Sequence, residues 1–147
     1  MEYHIYLAGE IHSDWRDQLR ASIEAKPGIT FHFWGPQENH DLSDAIGEHV
    51  LGEQPNAIYK DLQASKINNL RTELHLKKAD LVIALFGEKF KQWNTATDTA
   101  TAIALGKPTI IIRPEALHHP LKELSEKANV TVDTIEQAAQ VIDYIFA

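Results

Sequence analysis

Three clusters of residues carry side chains suited to covalent or proton-transfer chemistry, and each follows an apolar run. The first is Tyr6-Leu7-Ala8-Gly9-Glu10, where Gly9 lets a ligand approach the backbone and Glu10 can point a carboxylate into a crevice. The plainer alternative is a glycine that ends a strand beside a solvated glutamate. The second is Gly35-Pro36-Gln37-Glu38-Asn39-His40-Asp41, whose polar groups could hold a sugar or a base. The third is Asp98, early in a helix whose dipole and free amides favour an anion. Thr95-Ala96-Thr97-Asp98 also has the form of a capping box, so spacing alone leaves Asp98 either reactive or a helix cap.

Other chemistries find less support. The chain has no cysteine, so a disulfide framework, a thiolate metal site and a cysteine nucleophile are all excluded. The dinucleotide pattern G-x-G-x-x-G and the Walker A loop are absent, which disfavours nucleoside triphosphates. His40, Asp41, Asp44 and His49 could be read as metal ligands, but neither a tight histidine pair nor H-E-x-x-H supports that reading. The expectation is a site without metal or cofactor.

The formal net charge of -7, from 14 basic and 21 acidic residues, works against a nucleic-acid polymer as partner, since phosphate contacts need clustered Lys and Arg. A small polar ligand or a protein partner is the better expectation. Neither an export-type amino terminus nor a run of roughly 20 apolar residues is evident, so a reducing cytoplasm is the expected setting. A length of 147 residues with 44% hydrophobic content predicts one compact domain, residues 1–147.

The elements that must position these residues follow from where the apolar period changes. Tyr3 to Ala8 and Ile29 to Trp34 read as strands. A helix capped by Ser13 and running to about Lys26 separates them, with Trp15, Leu19 and Ile23 on one face. Gly35 to about Ala64 is long for a connection and contains a helix capped by Ser43, with Ile46, Val50 and Leu51 on one face and Gly52 at its end. A helix from about Ser65 to Lys78, with Ile67, Leu70, Leu74 and Leu76 inward, leads to the central strand Asp80 to Phe86. Helix Thr95 to Leu105, strand Thr109 to Ile112, helix Leu117 to Lys127, strand Val130 to Val132 and helix Thr134 to Phe146 complete the chain. This alternation predicts a Rossmann-like, three-layer α/β domain with about five parallel strands in the flavodoxin-like order 2-1-3-4-5. Its ligand crevice should open at the carboxyl ends of the strands.

Taken together, the segments Ile5–Ser13, Gly35–Glu48, Ile67–Glu73, Ala84–Asp98 and Gly106–Leu124 resemble the YtoQ family, grouped within the nucleoside 2-deoxyribosyltransferase superfamily. The superfamily binds its ligand at a turn like Tyr6-Leu7-Ala8-Gly9 and uses a glutamate opening a later helix, ahead of a Lys-Pro pair, as nucleophile. Counted back from Lys107-Pro108, that position is Asp98, one methylene shorter. The superfamily's base-contacting aspartate falls at Thr72, flanked by Arg71 and Glu73.

The resemblance implies a retaining displacement on a nucleoside or nucleotide, in which a carboxylate attacks the anomeric carbon and an acceptor base or water later releases the sugar. Retaining glycosidases do this with two carboxyl groups about 5–5.5 Å apart. Asp98 would be the nucleophile and Glu10 or Glu73 the proton donor. Asn39, Asn69, Gln92 and Asn94 could read base or sugar, and Arg113 could hold a 5′-phosphate unless it pairs with Glu115. Related enzymes complete their pockets with a neighbouring subunit, which implies a homo-oligomer, most simply a dimer, with Phe90 and Trp93 as interface anchors. A binding or sensing module without catalysis, on the same fold, is the alternative function.

Overall fold

The computed structural model describes residues 1–147 and contains a five-stranded, fully parallel sheet in the order β2-β1-β3-β4-β5. The strands are β1 (Glu2–Ala8), β2 (Thr30–Trp34), β3 (Leu81–Leu85), β4 (Thr109–Ile112) and β5 (Val130–Val132). The expected strand order is present. In β3 and β4 every residue but Leu85 is buried, because helices cover the sheet on both sides. The register places Ile5 beside Leu81 and Ala8 beside Ala84, so β1 and β3 end level with each other.

Helices α1 (Trp15–Ser22) and α6 (Ile135–Ile145) cover one face, burying Trp15, Leu19, Ala138, Ala139 and Ile142 against Ile5, Leu7, Ile83 and Ile110. On the other face α3 (Ala57–Lys78), α4 (Trp93–Ala104) and α5 (Lys122–Lys127) enclose Tyr6, Ala8, Val82, Ala84 and Ile111. The remaining helix, α2 (His40–Leu51), packs on α3. A Cβ on Gly47 would lie 2.7 Å from the Ala64 amide nitrogen, so the two helices touch backbone to backbone.

Several boundaries differ from the sequence expectation, each for a local reason. Helix α1 begins after Asp14, because the Ser13 hydroxyl is engaged by Glu10. It ends at Ser22, four residues short of Lys26, where the Ser22 hydroxyl donates to the Gln18 carbonyl and Ile23 turns out to join the core. Asn39, not Ser43, caps α2 by accepting from the Leu42 amide at 3.1 Å. Helix α3 starts eight residues before Ser65, capped by Asn56, which accepts from the Tyr59 amide at 3.1 Å.

Val50, Leu51, Leu70 and Leu74, expected to face inward, are 58–65% exposed. The α2–α3 contact is made instead by small and polar groups. Asn68 donates to the Ser43 carbonyl at 3.0 Å and to its hydroxyl at 3.2 Å, and Lys60 pairs with Glu48 at 3.5 Å. The expected helix Leu117–Lys127 breaks into a 3-10 turn (Glu115–Leu117) and α5, since Pro120 lacks an amide and restricts His119. No helix is long and apolar enough to cross a membrane.

Candidate functional site

Strands β1 and β3 send their chains to opposite sides of the sheet, β1 to β2 and β3 to β4, and a cleft opens between the loops at their carboxyl ends. It has two lobes. The larger, about 540 Å³, lies between the start of α2, α3 and α4 and is lined by Asp61, Ser65, Asn68, Asn69, Arg71, Thr72 and Thr97. The smaller, about 270 Å³, is lined by Gly9, Glu10, Ile11, His12, His40, Phe90, Lys91 and Gln92. Six residues line both, Pro36, Gln37, Ser43, Asp44, Asn94 and Asp98, so the lobes meet at Asp98 and Asp44.

Asp98 is half-buried in the second turn of α4, whose N-cap is Gln92. The capping box is therefore absent. The Thr95 hydroxyl donates to the Gln92 side chain at 3.2 Å, and Asp98 lies too far along the helix to reach the free amides. Its carboxylate takes part in no hydrogen bond and no ion pair, and burial pushes its pKa up to about 6. Beneath it is Tyr6, fully buried, with a hydroxyl that has no hydrogen-bond partner. Burial, reinforced by the Asp98 charge, raises the Tyr6 pKa to about 12, against the opposing pull of the Arg71 and Arg16 charges. Tyr6 thus remains a neutral phenol beside the Asp98 carboxylate.

The turn after β1 is held from below by Arg16, only 2% exposed. Its guanidinium donates to the carbonyls of Leu7 at 3.0 Å, Gly9 at 3.0 Å and Glu10 at 2.7 Å, and Glu38 lies 3.9 Å away. The Trp15 indole donates to the Glu10 carbonyl at 3.0 Å, and a Cβ on Gly9 would lie 2.6 Å from its ring. Gly35 is also tightly enclosed, since a Cβ there would sit 3.0 Å from the Leu7 carbonyl and 3.2 Å from Arg16 Nε.

Glu10 faces the smaller lobe but is fully occupied. Its carboxylate accepts from the His12 amide at 2.5 Å, the Ser13 amide at 3.0 Å and the Ser13 hydroxyl. Burial raises its pKa, yet these bonds and Arg16 outweigh it and hold Glu10 below the usual carboxylate range. A carboxylate kept ionised is a poor proton donor.

Of the other residues singled out from sequence, Asn69, Arg71, Gln92 and Asn94 line the cleft, with Arg71 donating to the Gly35 carbonyl at 2.6 Å. Ala8 is buried in the sheet, and Asn39 caps α2 with Asp41 exposed in its first turn. Glu73 lies outside the lining and pairs with Lys77 at 2.9 Å. Arg113, beyond β4 and outside both lobes, pairs with Asp133 at 2.5 Å and not with Glu115. Phe90 is half-buried and packs on His12 at 4.9 Å between ring centres, while Trp93 is 74% exposed. No three of the His, Asp and Glu side chains come close enough to hold a metal ion.

Asp61, Ser65, Asn68 and Arg16 carry no motif in the sequence that marks them as site residues. The first three, with Thr72, recur at spacings of four, three and four on α3 and form its cleft-facing stripe.

The family profile described as nucleoside 2-deoxyribosyltransferase YtoQ matches residues 6–146. A Bacillus subtilis (strain 168) protein, described as uncharacterized protein YtoQ, is 61% identical over 147 residues, covering 99% of this chain and 98% of its own. Two solved structures share the fold. A conserved protein from Enterococcus faecalis V583 superposes with a TM-score of 0.63 at 18% identity, covering 99% of each chain. A 2-deoxyribosyltransferase from Bacillus psychrosaccharolyticus gives 0.58 at 17% identity, covering 92% of this chain and 90% of its own.

Proposed function

The chain belongs to the nucleoside 2-deoxyribosyltransferase YtoQ family, and from that premise we propose that it breaks the N-glycosidic bond of a nucleoside through a covalent intermediate on Asp98. The observation that carries this reading is an unpartnered, half-buried carboxylate at the point where two lobes of one cleft meet. With a pKa of about 6 it is mostly ionised at pH 7 to 8 and available to attack an anomeric carbon. The larger lobe offers hydroxyl, amide and carboxylate groups suited to a sugar, and the smaller offers the planar faces of His12, His40 and Phe90 to a base. An acceptor base makes the reaction a transfer, and water makes it a hydrolysis.

The charge balance of the cleft favours a nucleoside over its 5′-monophosphate. Asp44, Asp61 and Asp98 line the larger lobe against one cation, Arg71, which is already bonded to the Gly35 carbonyl. Arg113, the expected phosphate ligand, lies outside it. Incubation with deoxynucleosides, ribonucleosides and their 5′-monophosphates, followed by assay for free base, tests this. The expected result is base release from nucleosides at least about tenfold faster, per kcat/KM, than from the matching phosphates. Binding without release from any of them would support the non-catalytic module instead.

The homo-oligomer is also part of this proposal, with a changed surface. Ile58, Leu62, Leu70 and Leu74 of α3 recur at multiples of four residues and are 44–77% exposed, an apolar ridge that a second copy could cover. Light scattering at micromolar concentration is expected to give a multiple of 16.6 kDa, and Leu70→Lys to shift it towards the monomer. A wild-type mass of 16.6 kDa would contradict the assembly.

A further inference from the structure

Displacement at an anomeric carbon needs a proton for the departing base, and the two glutamates that the sequence offers for it do not supply one. Glu10 is held ionised by its three donors, Glu73 lies outside the cleft, and position 72 is a threonine. What α2 contributes to the cleft that Asp98 lines is a different pair. His40, the first residue of that helix, places Nε2 3.2 Å from Asp44 Oδ2 one turn later. His40 lines the smaller lobe, and Asp44 lines both lobes, as does Asp98. The Nδ1 atom of His40 has no protein partner, and the His12 ring stands 5.7 Å away, centre to centre. Glu10, His12 and Lys91 are the other ionisable groups lining the smaller lobe.

The geometry points to His40 as the proton donor to the leaving base, oriented by Asp44. This role rests on the glycosidic reading above. Imidazole changes charge nearest neutral pH of all side chains, and a carboxylate bound to one ring nitrogen fixes which nitrogen faces the substrate. In the first half-reaction an Asp98 oxygen forms a bond to the anomeric carbon as the carbon–nitrogen bond breaks. The electron pair of that bond goes to the base nitrogen, which takes the proton from the His40 imidazolium. In the second, the nitrogen of an acceptor base or a water oxygen attacks the same carbon, its proton passes to the now neutral His40, and the Asp98 carboxylate is released. Each half-reaction leaves His40 ready for the next. Asp44 is a positioning residue throughout.

The test is the dependence of base release on the acidity of the departing base. The substrates are 2′-deoxyuridines whose 5-substituents, from methyl through hydrogen and fluoro to nitro, make the base a progressively better anionic leaving group. A donor matters most when the leaving group is poor. His40→Gln is expected to lose on the order of 10²-fold or more with thymidine and deoxyuridine, and to stay within a few-fold of wild type with the nitro compound. Asp44→Asn should show the same slope with a smaller loss. His40 is exposed at the first position of a helix, so both variants should keep the wild-type melting temperature within a few degrees. Equal loss by His40→Gln across the series, or no loss, overturns the role while leaving glycosidic cleavage by Asp98 intact. A wild-type protein that releases base from none of these substrates overturns the underlying reading, and the role with it. If His40→Gln did not fold, the slope in Asp44→Asn would decide by the same criterion.

Discussion

Asp98→Asn is expected to reduce base release by on the order of 10³-fold or more while making the protein more stable at pH 8. Asparagine has nearly the shape of aspartate but cannot form the glycosyl ester, so the loss should appear in kcat with ligand affinity little changed. The gain in stability follows from the raised pKa. The folded state holds the Asp98 proton up to about pH 6 and the unfolded chain only to 3.8, so the folded state is favoured at low pH. As pH rises from about 4 through 6, that advantage is lost, because ionising a half-buried carboxylate costs more in the folded state. The shift of roughly two pKa units, discounted for partial exposure, corresponds to about 1 kcal/mol and about 3 °C in melting temperature. The variant should therefore melt above wild type at pH 8 and level with it near pH 4. The same titration predicts that wild-type activity falls below about pH 6. A variant that retains wild-type turnover would remove the nucleophile, and one that melts lower at pH 8 would show that Asp98 makes a contact absent here.

Arg16→Met should be the most destabilising single change in the site. The Arg16 side chain is 3% exposed, and three carbonyl oxygens of the β1 turn depend on it. Leaving buried acceptors unpaired costs about 1–3 kcal/mol each, partly relieved by water, so the net loss is expected to be about 3–5 kcal/mol. For a chain of this length, that lowers the melting temperature by about 10 °C and moves the urea midpoint down at unchanged slope. Arg16→Lys should recover only part of it, since an ammonium group cannot span three carbonyls as a guanidinium fork does. Because the turn also presents Gly9 and Glu10 to the smaller lobe, KM should rise more than kcat falls in the lysine variant. A methionine variant within about 1 kcal/mol of wild type would show that the turn supports itself.

The parallel core was readable in the chain because its signals are local and redundant. Thr109–Ile112 and Val130–Val132 are short apolar runs between clear breakers, and Thr134 with Gln137 forms the capping box that opens α6. The α2–α3 pair was less legible. It is held by the Gly47–Ala64 approach and the Asn68–Ser43 bonds, so its helices lack an apolar stripe on the buried side and show leucines to solvent instead. Placing the start of α3 at Ser65 hid the stripe of Asp61, Ser65, Asn68 and Thr72, and with it the floor of the larger lobe. Arg16 was hidden for another reason. An arginine in an amphipathic helix reads as a surface residue, and only the fold brings the carbonyls of β1 over it. Asp98 itself was placed by its register before Lys107-Pro108, while its apparent cap dissolved once the helix began at Trp93.

The most direct measurement of the central claim is the mass of the protein quenched during turnover of a 2′-deoxynucleoside in which fluorine on the sugar slows release of the intermediate. Fluorine there destabilises the positively charged transition state of both half-reactions, and a good leaving group restores the first, so the intermediate should accumulate. One sugar added per chain is expected, carried by the peptide containing Asp98, removed by addition of an acceptor base and absent from Asp98→Asn. Base release from the unmodified substrate with no sugar on the protein, or with the sugar on another residue, would contradict it.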